Sequence, residues 1–127
     1  MPLILVADDD EQVRGWVRSV LEVEGYRVID AEDGRQALLV IEREAPDLVI
    51  LDVYLPVQDG LETILKLHQA RMPVKILAIS GQPLHGYDIL KVAAAFGAHG
   101  LLEKPFSAGL LLQSVRSLVG SMQHRAA

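Results

Sequence analysis

Five short apolar runs, LILVA at 3–7, RVIDA at 27–31, LVILD at 48–52, KILAIS at 75–80 and GLLE at 100–103, alternate with segments of helical length. That alternation constrains the fold more than any other feature. The runs are too short for helices, and their continuous apolar character predicts strands buried on both faces. On the first helical segment Val13, Val17, Val20 and Leu21 share a face, and Gly25 follows as a helix-ending glycine. The second carries Ala37, Leu38, Ile41 and Ala45 between a cap-like pair, Asp33 and Gln36, and the helix-stopping Pro46. The third, opened by Gln58, Asp59 and Gly60, aligns Leu61, Ile64, Leu65 and His68. A fourth, about 86–96, is rich in small residues, and a fifth starts near Ser107 and turns Leu111, Val115 and Leu118 inward. Strand and helix in strict alternation predict βαβ units. The expected fold is α/β: a doubly wound five-stranded parallel sheet in the flavodoxin-like order 2-1-3-4-5, with five helices.

Size and composition place this sheet in one domain. A chain of 127 residues, half of them hydrophobic, buries a single core and is not disordered. The expected boundaries are 1–120 for the domain and 121–127 for a polar tail that frays. A net charge of −5 without a basic patch argues against direct nucleic-acid binding. No apolar stretch approaches the ~20 residues of a membrane span, and no signal peptide precedes the first strand. The expectation is a cytoplasmic protein with no membrane partner. The absence of cysteine removes disulfides and thiolate metal sites from consideration.

The polar residues then carry the chemistry. Asp8 and Asp9 follow the first strand, Asp52 ends the third, Ser80 ends the fourth and Lys104 follows the fifth. In an open parallel sheet ligands bind beyond the carboxyl ends of the strands, where the strand order reverses. In the order 2-1-3-4-5 the first and third strands are neighbours, so the aspartates converge beside a hydroxyl and an ammonium. Clustered carboxylates repel unless a cation neutralises them, and oxygen donors suit Mg²⁺ or Mn²⁺. An aspartate so placed can act as a nucleophile and form an acyl phosphate. The transferred group spreads charge over three oxygens, which the cation, Lys104 and Ser80 would share.

The motifs LVADDD, LDVYLPVQDG, AISG and GLLEKPF occur in the order and at the separations of a known family. Over essentially its whole length the sequence resembles the receiver domain of two-component response regulators. The resemblance implies Asp52 as phosphoacceptor, Asp9 as a direct metal ligand, Asp8 acting through a coordinated water and the Tyr54 backbone carbonyl as a further ligand. It implies Ser80 as the hydroxyl that moves toward the phosphoryl group, Lys104 as the cation and a cis bond before Pro105. A sensor histidine kinase or histidine phosphotransfer protein is the implied donor. A downstream protein or second copy is the implied partner of the face formed by the fourth helix, fifth strand and fifth helix.

The remaining residues have plainer roles. Asp10 reads as the cap of the first helix. Pro56 and Gly60 shape the loop after Asp52. His68, His85, His99 and His124 lack metal-like spacing, and Trp16 reads as packing or half-exposed surface. One or two of Leu110, Leu111 and Leu112 stay outside the core, as overhang or as a contact surface. Two departures from the family pattern stand out. Leu101 occupies the position of an aromatic switch residue; it is either core, with output carried by the 81–88 loop beginning at Gly81, or an altered switch. Tyr54 and Gln82 border the phosphoryl position and bear on the lifetime of the acyl phosphate. Two rival functions remain. Asp8 and Asp10 have the spacing of a Mg²⁺-dependent aspartyl-phosphate phosphohydrolase, and a receiver-like docking module needs no phosphate at all.

Overall fold

The computed structural model describes residues 2–54, 59–81 and 86–126. Pro56, Gln82 and His85 lie outside the described residues, as does the His124 side chain. Strands β1 (Leu3–Ala7), β2 (Arg27–Ala31), β3 (Leu48–Asp52), β4 (Lys75–Ser80) and β5 (Gly100–Glu103) form one parallel sheet in the order β2-β1-β3-β4-β5. Helices α1 (Glu11–Val23), α2 (Gly34–Glu44), α3 (Gly60–Gln69), α4 (Gly86–Phe96) and α5 (Ala108–Ala126) connect and flank them. The five apolar runs are the five strands, as the sequence predicts.

Their apolar character follows from the two-sided core. Along β1, Ile4 and Val6 face Val17 and Leu21 of α1 and Leu111, Val115 and Val119 of α5. Leu5 and Ala7 point to the other face, with Ala37 and Ile41 of α2, Ile64 and Leu67 of α3 and Leu90 and Ala93 of α4. Every β1 residue from Ile4 to Ala7 is therefore fully buried. At about 25 cal/mol per Å² of apolar surface, two such faces are the main stabilising term of a domain this size.

Local chemistry sets the helix ends. The Asp10 carboxylate accepts from the Gln12 and Val13 N–H groups, capping α1. Asp33 accepts from the Gln36 N–H at 2.8 Å, while the Gln36 side chain accepts from the Glu32 N–H at 2.7 Å. Gly25 sits at φ 92°, the left-handed position assigned to it. The second helix stops at Glu44, two residues before Pro46. Ala45 is the left-handed cap at φ 47°, and the proline after it disfavours any further helical turn.

Two sequence expectations shift. The inward face of α3 is Thr63, Ile64 and Leu67, with Leu65 half-buried and His68 exposed. The fifth helix buries Val119 fully and Leu118 only in part. Its backbone is helical to Ala126. Among the described residues no helix is long and apolar enough to cross a membrane.

Candidate functional site

The parallel register brings the carboxyl ends of four strands to one level. Ala7 of β1 lies opposite Leu51 of β3, Asp52 opposite Ile79 of β4, and Ser80 opposite Glu103 of β5. The next residue after Glu103 is Lys104, whose N–H donates to the Ser80 carbonyl at 2.8 Å. The five residues assigned to the site thus arise at adjacent strand ends, and the fold brings them together.

Carboxylate oxygens of Asp8, Asp9 and Asp52 lie within 4.8 Å of one another. The Lys104 Nζ bridges two of them, donating to Asp8 Oδ2 at 2.8 Å and to Asp52 Oδ2 at 3.0 Å. Backbone donors hold the other oxygens: Asp10 N–H reaches Asp8 Oδ1 and Tyr54 N–H reaches Asp52 Oδ1, each at 2.9 Å. Asp8 is fully buried and Asp52 nearly so, whereas Asp9 is exposed. Ser80 is buried at the end of β4.

Burial pushes the Asp8 carboxyl above its ordinary range. The hydrogen bonds from Lys104 and the Asp10 N–H oppose that push without cancelling it, and the neighbouring Asp52 charge adds to it. For Lys104 burial acts downward but is outweighed by the Asp8 hydrogen bond and the Asp52 and Asp8 charges, so its ammonium is held above the usual value. The single ammonium is raised because it serves two carboxylates, whereas Asp8 is raised chiefly by its burial.

Three carboxylates facing one ammonium leave an excess of two negative charges, with oxygen atoms as the donor set. Such a cluster fits a hard divalent cation. Asp9 is the carboxylate with no protein hydrogen-bond donor among the described residues, and it opens to solvent. Asp10, the third acid of the run, turns away to cap α1.

The other assigned positions fall around this centre. Tyr54 is 37% exposed beside Asp52. Gly81 leaves room for the Lys104 stem: a Cβ there would stand 3.1 Å from Lys104 Cδ. The bond from Lys104 to Pro105 is cis. Leu101 is 41% exposed on the edge strand β5, so it is not core, and it lies opposite Ala78 with no aromatic ring in its place. Trp16 is half-exposed and packs on Phe106, ring centroids 5.8 Å apart. His68 and His99 line a cleft at the opposite end of the strands. There the His99 Nδ1 accepts from the Ile76 N–H at 3.0 Å, a structural role remote from the acids.

Two residues contribute beyond their sequence reading, which gave Gly60 a loop-shaping role and Arg14 none. Gly60 packs its α-carbon against the Asp52–Val53 backbone, where a Cβ would stand 2.5 Å from Val53 Cα. The buried Arg14 guanidinium donates to the Asp8 carbonyl at 2.7 Å. Its place on the inward side of α1, next to Val13 and Val17, was the only available signal.

Comparison with known proteins agrees with this geometry. Residues 4–116 match the family described as response regulator receiver domain. Response regulator MprA of Mycolicibacterium vanbaalenii is 39% identical over 120 residues, 94% of this chain and 51% of that protein. The chain spans about half the length of the curated relatives it matches. Among solved structures, the receiver domain of NtrX from Brucella abortus is 31% identical, with a TM-score of 0.86 over 92% of this chain and 98% of that one. The Francisella response regulator 1452 receiver domain is 25% identical, with a TM-score of 0.88 over 96% of this chain and 99% of that one.

Proposed function

The chain belongs to the response regulator receiver domain family, and from that premise we propose that Asp52 takes a phosphoryl group from a phosphohistidine donor. An Asp52 carboxylate oxygen attacks phosphorus, the bond from phosphorus to the donor imidazole breaks, and the imidazole leaves with the electron pair. The product is an acyl phosphate, which water later hydrolyses to restore the carboxylate. The observation that carries this reading is the Asp52 carboxylate held between Lys104 at 3.0 Å and the Tyr54 N–H at 2.9 Å, within an acidic cluster.

Asp9 and Asp52 would bind Mg²⁺ or Mn²⁺ directly, the Tyr54 carbonyl would join them, and Asp8, fully buried where Asp9 is exposed, would act through water. A bound divalent cation would offset the charge on the phosphoryl oxygens. Lys104 would transfer one hydrogen bond from Asp52 Oδ2 to a phosphoryl oxygen, and the Ser80 hydroxyl would donate to another. The tilt of Ser80, with Gly81, Gln82, Leu101 and Pro105, would bias two conformations of the surrounding backbone. The chain acts on itself in this account and is not an enzyme with a separate substrate.

A sensor histidine kinase or histidine phosphotransfer protein supplies the phosphoryl group in the cytoplasm. Output runs to a downstream protein or a second copy through the α4–β5–α5 face, with no direct contact to nucleic acid. Half-exposed Val92, Leu101 and Leu110, one from each element, support that surface. The phosphohydrolase reading is disfavoured by Asp8, whose side chain is fully buried and so closed to an incoming phosphodonor.

The test is intact mass spectrometry after incubation with acetyl phosphate and Mg²⁺. One added phosphoryl group is expected, lost with EDTA and in Asp52→Ala. No adduct together with no binding of beryllofluoride would leave the docking-module reading in its place.

A further inference from the structure

Within the acidic cluster Asp9 stands apart. Lys104 and backbone N–H groups fix the carboxylates of Asp8 and Asp52. No donor among the described residues reaches the Asp9 carboxylate, so its direction depends on the backbone that carries it. That backbone is held at three points, the first being the Asp10 N–H of the peptide after Asp9, which donates to Asp8 Oδ1 at 2.9 Å. The Asp8 N–H donates to the Ala31 carbonyl of β2 at 3.2 Å. The Asp8 carbonyl, part of the peptide that joins Asp8 to Asp9, accepts from Arg14 Nη1 at 2.7 Å.

The Arg14 side chain is only 10% exposed, so its desolvation must be compensated. Asp30 stands 3.6 Å from Nε and Glu32 3.9 Å from Nη2, and these acids are 41% and 71% exposed. Exposed pairs at such distances contribute little. The short bond to the Asp8 carbonyl is the principal buried contact, and it points Arg14 at the peptide of a proposed metal ligand.

We propose that Arg14 is a positioning residue for the divalent-cation site, fixing the Asp8–Asp9 peptide and with it the Asp9 carboxylate. The inference rests on the cation reading above. It also makes a prediction opposite in sign to simple electrostatics. Removing a positive charge beside an acidic cluster strengthens its attraction for a cation. Releasing a ligand's support weakens binding, typically by 10- to 100-fold for groups that orient metal ligands.

The experiment titrates Mn²⁺ into the parent protein, Arg14→Met, Arg14→Lys, Arg18→Met and Asp9→Asn, reading the free-ion electron paramagnetic resonance signal. Arg18 shares Asp30 at 3.8 Å and provides the control for charge on α1. Arg14→Met is expected to raise the Kd about tenfold, while Arg18→Met stays within about twofold. Arg14→Lys, which keeps the charge but loses the planar fork, is expected to raise the Kd as well, and it carries the test if Arg14→Met does not fold. An unchanged or lower Kd in the folded Arg14 variants, with Asp9→Asn impaired, overturns the inference and leaves the cation reading standing. A parent protein that binds no Mn²⁺ overturns both.

Discussion

The same substitution at two glycines has opposite expected effects. At Gly60 an added Cβ would meet the Asp52 carbonyl oxygen and stand 2.5 Å from Val53 Cα and 3.0 Å from the Asp52 carbonyl carbon. Carbon atoms pack at about 3.5 Å or more, so Gly60→Ala must move backbone by about 1 Å. The displaced atoms are main chain and cannot rotate away, which places the cost near the upper end of the overpacking range, about 3 kcal/mol. For 127 residues the unfolding entropy is about 0.27 kcal/mol/K, so Tm should fall by about 11 °C. The moved peptide carries Asp52, the proposed phosphoacceptor, and a misplacement of about 1 Å can slow a reaction by about 100-fold. Gly15 is an exposed helix-interior glycine whose Cβ position is open, with nothing within 4 Å. Gly15→Ala should stabilise by about 1 kcal/mol, or about 4 °C, and leave phosphorylation unchanged. Calorimetry and the rate of phosphorylation by acetyl phosphate would measure both. A Gly60→Ala protein that melts with the parent and reacts at its rate would refute the close approach of α3 to Asp52.

Three further outcomes follow from the site and its surroundings. Because the folded Asp8 pKa is raised, the favourable contribution of the protonated acid is complete below the ordinary value of 3.8 and is lost as pH rises through the folded value. In EDTA, urea melts should therefore show Asp8→Asn gaining on the parent as pH rises from 4 toward neutrality; a constant difference would contradict the assignment. His99 is shifted down by burial, then by Lys75 and His68, so stability should fall as pH drops below 6.5 in the parent and not in His99→Asn. Parallel acid profiles would remove that explanation. Asp10→Ala should lower Tm by about 4 °C through loss of the α1 cap, yet leave Mn²⁺ affinity intact. Weakened binding in that variant would instead make Asp10 a ligand.

Strand positions and site residues were legible in the sequence for different reasons. A two-sided core requires continuous apolar runs, so the strands announce themselves, and Asp8, Asp52, Ser80 and Lys104 are conspicuous because each polar group abruptly ends or follows one. Asp10 and Asp33 were readable as caps because capping acts over three or four residues. What depended on packing between elements was not readable. The burial of Leu67 in place of Leu65 reflects how α3 rolls against α4, a rotation its own spacing leaves open. Leu101 fits a core pattern by type, yet β5 is an edge strand and exposes it. Arg14 resembles any helix arginine until the fold places the Asp8 carbonyl within its reach. Gly60 resembles any turn glycine until α3 is seated on the Asp52–Val53 peptide.

The central claim is that the reactive carboxylate is Asp52 and not Asp8. Borohydride reduction converts an aspartyl phosphate to homoserine and so marks the modified position. Protein treated with acetyl phosphate and Mg²⁺, reduced, digested and sequenced by tandem mass spectrometry, should carry homoserine at position 52 alone. Homoserine at position 8, or turnover of excess phosphodonor through that residue, would contradict the account and establish the phosphohydrolase reading.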